Sequence, residues 1–296
     1  MALKDGFAPV SNPIFDGLTP AKGPYHKMKT IENKNVVITG GAAGIGKRMA
    51  LRFARQKANL AVIDIDPNRL SQTEKELKTF GKRIHIYRCD LSRRNQIEQT
   101  ADKIKTDFIS TDILINNAGV VTGKSILDIN FEDLKRNLDI NLMAVIWMTR
   151  QFIPEMVAKN TGHIVNISSA AGLTGLPGLS DYCATKFGVV GFSEALRLEM
   201  KKSAPGVKVT CICPSFIATG MFAGVKPPLL SPWLDPDRVA GKIVRTILNE
   251  RAYLKTPFIV KLIPFFRVLP APVLDRISRL AGLDRAMDAF KGHPSG

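Results

Sequence analysis

Val36-Val37-Ile38-Thr39-Gly40-Gly41-Ala42-Ala43-Gly44-Ile45-Gly46 is the stretch on which the fold turns. A short apolar run stops in a cluster of glycine and alanine. Ile45, Met49 and Phe53 then recur at helical spacing through a segment ending near Lys57. That order reads as strand, tight turn, helix. Small residues in the turn let the main chain approach an anion closely, and the N-terminus of the following helix adds positive potential. A glycine cluster by itself is merely a tight turn. Set between strand and helix, it is a candidate pyrophosphate cradle, with Gly40, Ala43, Gly44, Ile45 and Gly46 as its members.

The same alternation repeats along the chain. Residues 60–64 read as a strand, 67–80 as a helix, 84–89 as a strand and 94–108 as a helix. Residues 113–116, 164–168 and 207–213 supply three more strands, with long helical stretches near 131–158 and 183–202 between them. Repeated βαβ units imply a parallel sheet with helices on both faces, and the strands are nearly continuously apolar, as burial on both faces requires. The expected fold is α/β, a Rossmann-type doubly wound parallel sheet of about seven strands in a single domain. Pro13, Gly17, Pro20, Gly23 and Pro24 make residues 1–33 an irregular N-terminal arm. Residues 34–251 form the expected catalytic domain. Pro and Gly interrupt it at 216–236, which we take as a substrate loop, and 252–296 is an apolar and basic extension expected to cover the substrate site or contact a membrane.

At 296 residues and 45% hydrophobic content the chain can bury a substantial core. Its formal net charge of +16 attracts anions of every kind, so charge alone names no partner. A nucleic-acid surface calls for clustered bases interleaved with exposed aromatics. Only 7% of residues are aromatic and no such motif is present, so no nucleic-acid partner is expected. Cys89, Cys183, Cys211 and Cys213 lack metal-ligand spacing and read as reduced, buried thiols; no metal is expected. The first thirty residues hold no apolar stretch of leader or anchor length, and nowhere do about eighteen uncharged apolar residues run together. The expected location is cytoplasmic, neither secreted nor membrane-spanning.

Asp64 ends the second strand, twenty residues beyond Gly44, where a carboxylate can accept from ribose hydroxyls and repel a 2′-phosphate. NAD is therefore expected over NADP, although Asp66 is a second acid nearby and Lys47 and Arg48 leave room for NADP. Tyr182-Cys183-Ala184-Thr185-Lys186 sets Tyr182 and Lys186 four apart, on one face of a helix. A phenol near pKa 10 is a poor base at neutral pH, but Lys186 and an oxidised nicotinamide both favour the phenolate.

Together these segments resemble the short-chain dehydrogenase/reductase family over approximately residues 34–250. The Gly-x-x-x-Gly-x-Gly spacing of the first turn is the family's. Asp90-Leu91 resembles its adenine-contacting pair, and Asn116-Asn117-Ala118-Gly119 its Asn-Asn-Ala-Gly signature, which places Asn117, Ala118 and Gly119 beside the cofactor. Ser169, thirteen residues before Tyr182, matches the serine that hydrogen-bonds the reacting oxygen, with Ser168 as the second candidate. Asn141 matches the helix asparagine that holds a proton-relay water near the lysine. Pro214, Ile217 and Thr219 match the segment that contacts the nicotinamide, although Ser215 stands where the family usually has glycine.

The resemblance implies that Tyr182 takes the alcohol proton while hydride passes to nicotinamide, with Ser169 on the oxygen and Lys186 on the nicotinamide ribose. Within the family, Thr219-Gly220-Met221-Phe222 and the Phe- and Leu-rich tail are similar to the retinol and 17β-hydroxysteroid dehydrogenase branch. This implies a lipophilic alcohol as substrate: a retinoid, a steroid or a long-chain alcohol. The tail with Lys261, Arg267, Arg276, Arg279, Arg285 and Lys291 suits peripheral contact with an anionic membrane, and equally a cover for the cleft or a subunit contact. The helices near 131–158 and 183–202 resemble those by which family members form homodimers and homotetramers. Two alternatives remain open: an NADPH-dependent 3-oxoacyl-thioester reductase, which Asp64 argues against, and a non-catalytic NAD-binding interaction protein, for which loss of a catalytic group is the expected mark.

Overall fold

The computed structural model describes residue 28 and residues 30–80, 83–229 and 231–292. Most of the expected irregular arm, 1–27 and 29, lies outside the described residues. Seven strands form one parallel sheet: β1 (Asn35–Thr39), β2 (Asn59–Asp64), β3 (Ile84–Arg88), β4 (Ile113–Asn116), β5 (Gly162–Ile167), β6 (Val207–Pro214) and β7 (Tyr253–Thr256). Their order is β3-β2-β1-β4-β5-β6-β7. The chain therefore lays down β1, β2 and β3 outward in one direction and returns to place β4 on the other side of β1. Connections leave β1 and β4 on opposite faces, which opens a crevice beyond their carboxyl ends.

Side-chain alternation explains the two core layers. Val36 and Ile38 of β1, Leu60 and Val62 of β2, and Ile113 and Ile115 of β4 point to one face, against Met49 and Phe53 of α1 (Gly44–Arg55) and Ile243 and Ile247 of α7 (Pro236–Leu248). Val37, Ala61, Ile63 and Leu114 point to the other. There they meet Ile97 and Ile104 of α3 (Arg94–Asp107), Met148 and Phe152 of α5 (Ala144–Lys159), and Leu196 of α6 (Ser180–Ser203). Each such side chain, fully withdrawn from water, contributes about 1.5–3 kcal/mol. Both faces are buried, so the strands carry no polar alternation.

Two elements differ from the sequence reading. The extension was expected from residue 252, yet Tyr253–Thr256 is β7, paired in parallel with β6 from Cys211↔Tyr253 to Pro214↔Thr256. Three of its four residues are partly exposed at the sheet's edge, and it carries a lysine and a threonine, so no apolar run marks the strand. The helical stretch at 131–158 is broken. α4 (Phe131–Leu138) passes through a π-helical turn, Asp139–Met143, into α5. Such single widened turns concentrate at functional sites, and this one carries Asn141. The remaining helices are α2 (Pro67–Lys78), α8 (Phe258–Phe266) and α9 (Ala271–Leu280). Among the described residues no helix is long and apolar enough to cross a membrane.

Candidate active site

A cleft of about 330 Å³ lies at the carboxyl edge of the sheet. Its floor is the glycine turn. Gly40 and Gly44 take φ of 60° and 51°, in the left-handed region where glycine carries no steric cost. A Cβ on Gly46 would stand 2.0 Å from the Gly40 carbonyl oxygen, so the first turn of α1 rests directly on the strand end. α1 starts at Ala43 without a side-chain cap and without an acid in its first turn. Its leading N–H groups are thus left for an anion. Asn117 acts from beneath: its Nδ2 donates to the carbonyls of Thr39 (2.9 Å) and Gly40 (3.0 Å), tying the end of β4 to the turn. These backbone constraints fit a diphosphate.

Asp64 lines the same cleft. Its carboxylate accepts from the backbone N–H of Ala42 (3.1 Å), Ile65 (2.8 Å) and Asp66 (3.3 Å), which fixes it at the turn. Asp66 instead caps α2, accepting from Asn68 and Arg69. The Arg69 N–H, with that of Asn68 and the Arg69 charge, holds its carboxyl below the usual range. Lys47, one of the bases that left room for NADP, pairs with Glu76 at 2.8 Å. Asp90 and Leu91 line the cleft beside Cys89. Burial pushes the Asp90 carboxyl up, but two hydrogen bonds from Ser92 and the charges of Arg93 and Arg136 bring it below the ordinary value.

At the other end, the start of α6 carries Tyr182, and Lys186 follows one turn later. Both are buried, at 5% and 3% exposure. Lys186 Nζ donates to the Ile167 carbonyl at 3.0 Å and stands 5.5 Å from the centroid of the Tyr182 ring. Burial draws Lys186 down to about 8, against the opposing influence of Cys211 and Cys213. Burial also raises the Tyr182 phenol, more than its hydrogen bond with Ser169 lowers it. The phenolate is therefore disfavoured by the protein's own burial, opposite to the lowering expected from Lys186. Taking the phenolate out of water is the largest influence on it.

Ser169 lines the cleft and accepts from the Ala171 N–H at 3.1 Å. Ser168 also lines the cleft, but its buried hydroxyl is engaged, donating to the Lys186 carbonyl at 2.9 Å, which separates the two serine candidates. Gly40, Ala43, Gly44, Ile45, Asn117, Ala118, Gly119, Pro214, Ile217 and Thr219 all line the cleft. Gly46 and Asn141 do not; both act behind its wall. Asn141, fully buried, accepts from the Val120 N–H and donates to the Val120 carbonyl, both at 2.8 Å. Ser215, which stands in for a glycine, is not among the residues with positive φ, so its backbone is unstrained, but its Oγ is buried without a hydrogen-bond partner among the described residues.

Sequence reading missed Arg69 and Arg136, which line the cleft from α2 and α4 with no motif to mark them. It also missed a buried chain of polar side chains beside the start of α6. Asp181 accepts from Thr122 (2.6 Å) and Asn137 (2.7 Å), and Asn137 accepts from Asn141 (2.6 Å). A buried carboxylate directly before Tyr182 leaves no signal in a single sequence.

Comparison with known proteins agrees with this geometry. The model of the short chain dehydrogenase family matches residues 34–229. Epidermal retinol dehydrogenase 2 of Mus musculus is 40% identical over 269 residues, covering 89% of this chain and 87% of that protein. Retinol dehydrogenase 10-B of Danio rerio is 35% identical, covering 89% and 86%. Among solved structures, a short chain dehydrogenase/reductase from Burkholderia phymatum in complex with NAD superposes with a TM-score of 0.73 at 27% identity, over 80% of this chain and 94% of that one. A metagenomic short-chain oxidoreductase in complex with NADP gives 0.65 at 25% identity, over 76% and 95%. The chain belongs to the short-chain dehydrogenase family and is an alcohol oxidoreductase acting with NAD(P).

Proposed function

We propose that this enzyme interconverts a lipophilic alcohol, whether retinoid, steroid or long-chain, and its carbonyl compound, using NAD. One observation carries the substrate class. A second cavity of about 260 Å³ meets the cofactor cleft at Ser169, Tyr182, Ser215 and Phe222, and its walls are almost wholly apolar, including Leu176, Leu179, Phe216, Ile259, Ile263 and Ile277. A hydroxyl at Tyr182 thus leads into a greasy chamber, and the retinol dehydrogenase relatives point the same way. Asp64 supports NAD, since a carboxylate at the ribose opposes a 2′-phosphate. Arg69 on the same wall favours NADP.

When bound, nicotinamide supplies the acceptor for hydride and a positive ring beside Tyr182. Tyr182 Oη receives the substrate hydroxyl proton. Ser169 Oγ hydrogen-bonds the same oxygen and holds it against the ring. Lys186 holds the ribose and keeps a positive charge behind Tyr182. A cation near the phenol favours the phenolate and so works against the burial. Asn141, through Val120, keeps the segment after β4 in place beside them.

The test follows absorbance of reduced nicotinamide, offering NAD or NADP with retinol, a steroid alcohol and a series of primary and secondary alcohols. Turnover with NAD is the expected result. Tight NAD binding with no turnover of any alcohol would favour the non-catalytic interaction protein instead.

A further inference from the structure

α8 and α9 each have two faces, and only one is accounted for by the cavity. On α8 and the residues after it, Ile259, Ile263, Phe266 and Arg267 line the cavity. Phe258, Lys261 and Phe265 recur at i, i+3 and i+7, so they share the opposite side, and Val268 follows in the turn after the helix. They are exposed, with Phe265 at 72% and Val268 at 82%. On α9, Leu274, Ile277 and Ser278 line the cavity, while Val273, Arg276 and Leu280 at i, i+3 and i+7 face outward. Leu280 is 84% exposed. Only Val260 of α8 is buried, and no residue of α9 is. Leu229, also exposed, lines the cavity, and its N–H donates to the Ala281 carbonyl, which puts the substrate loop at the end of α9.

The charge on this surface has one sign. Across residues 258–280 there are four cations against one acid, Asp275; Lys261, Arg276 and Arg279 are exposed away from the cavity, while Arg267 lines it. None of the four is ion-paired among the described residues; Lys261 lies over the Phe258 ring and Arg267 over the Phe187 ring. Large apolar side chains interleaved with unpaired bases on short helices match the interface of an anionic bilayer, with apolar groups in the acyl boundary and bases at the headgroups.

We propose that the outer faces of α8 and α9 dock on an anionic lipid surface, so that the apolar cavity takes its substrate from the bilayer. The docking stands on exposure and charge alone. Only the delivery of substrate rests on the function proposed above.

The test is sedimentation of the full chain with vesicles of phosphatidylcholine, with and without one-third phosphatidylserine. It compares wild type with the triple variant Phe265→Glu, Val268→Glu, Leu280→Glu, none of which lines the cavity. The expected result is binding to the phosphatidylserine vesicles that falls at least about tenfold in the variant and in high salt, with turnover of a short, water-soluble alcohol unchanged. Absence of binding to either vesicle overturns the proposal. So does a wild-type oligomer that the variant dissolves without any change in lipid binding, because the face is then a contact between copies. Lipid binding without turnover of any alcohol would leave docking standing and refute the chemistry; turnover of dispersed alcohols without lipid binding would do the reverse.

Discussion

The two halves of the site are built by opposite means. The cofactor half is made of backbone: Gly46 lies so close to Gly40 that a methyl group would meet a carbonyl oxygen at 2.0 Å, and Asn117 spends its amide on main-chain carbonyls. The substrate half is walled by side chains, those of α8 and α9 among them, and on those two helices Val260 is the one buried residue. Backbone contact admits one residue type at one position, whereas an apolar wall accepts many sets of side chains of similar bulk. The first half therefore fixes the chemistry, and the second is where enzymes of this fold are free to differ.

The sharpest way to break that contrast is Gly46→Ala. Overpacking against a carbonyl costs about 3 kcal/mol, so affinity for NADH, read by fluorescence titration, is expected to fall about a hundredfold. Unchanged affinity would mean that the backbone half is as tolerant as the wall. Asp64→Asn keeps an acceptor for the turn and removes the charge. The ratio of kcat/KM with NADP to that with NAD is expected to rise between about ten- and a hundredfold; a constant ratio would shift the discrimination to Arg69. On the apolar side, Ile263→Ala with Ile277→Ala should lower kcat/KM for a long-chain alcohol about tenfold and leave NAD affinity within about twofold. Loss of cofactor binding in that pair would show that the halves are not separable.

A further effect concerns the sheet that carries both halves. His163 of β5 is buried, with its Nε2 2.7 Å from Thr210 Oγ1, and burial with the Lys208 charge draws it down to about 3. The unfolded chain protonates this ring near pH 6.5 and the folded chain does not. Its contribution to stability is therefore complete above about 6.5 and is lost as pH falls toward 3, at about 1.4 kcal/mol per pH unit. Chemical denaturation at pH 7.0, 6.0 and 5.0 should show that slope, and His163→Phe should flatten it.

What was legible in the sequence follows the same division. The strand–turn–helix at 36–57 and the spacing from Ser169 to Tyr182 and Lys186 were readable because local geometry imposes them. The assignment of Asp64 rather than Asp66 to the cleft was readable for the same reason: Asp66 precedes Pro67, a helix start, and caps α2. β7 was not readable, because a four-residue edge strand with three half-exposed residues carries no period. The chain from Thr122 through Asp181 and Asn137 to Asn141 joins residues up to 59 positions apart, and only the fold brings them together. The upward pull on Tyr182 was equally invisible, since it comes from burial by Phe222 and its neighbours.

Tyr182 is the residue on which both halves converge, so it gives the most direct measurement. Tyr182→Phe should be assayed with NAD and the best apolar alcohol, with NADH affinity measured on the same preparation. Loss of the proton acceptor is expected to lower kcat by about 10²–10⁴ while NADH affinity stays within about twofold. Turnover close to wild type would contradict the central assignment, because the substrate proton would then leave by another group.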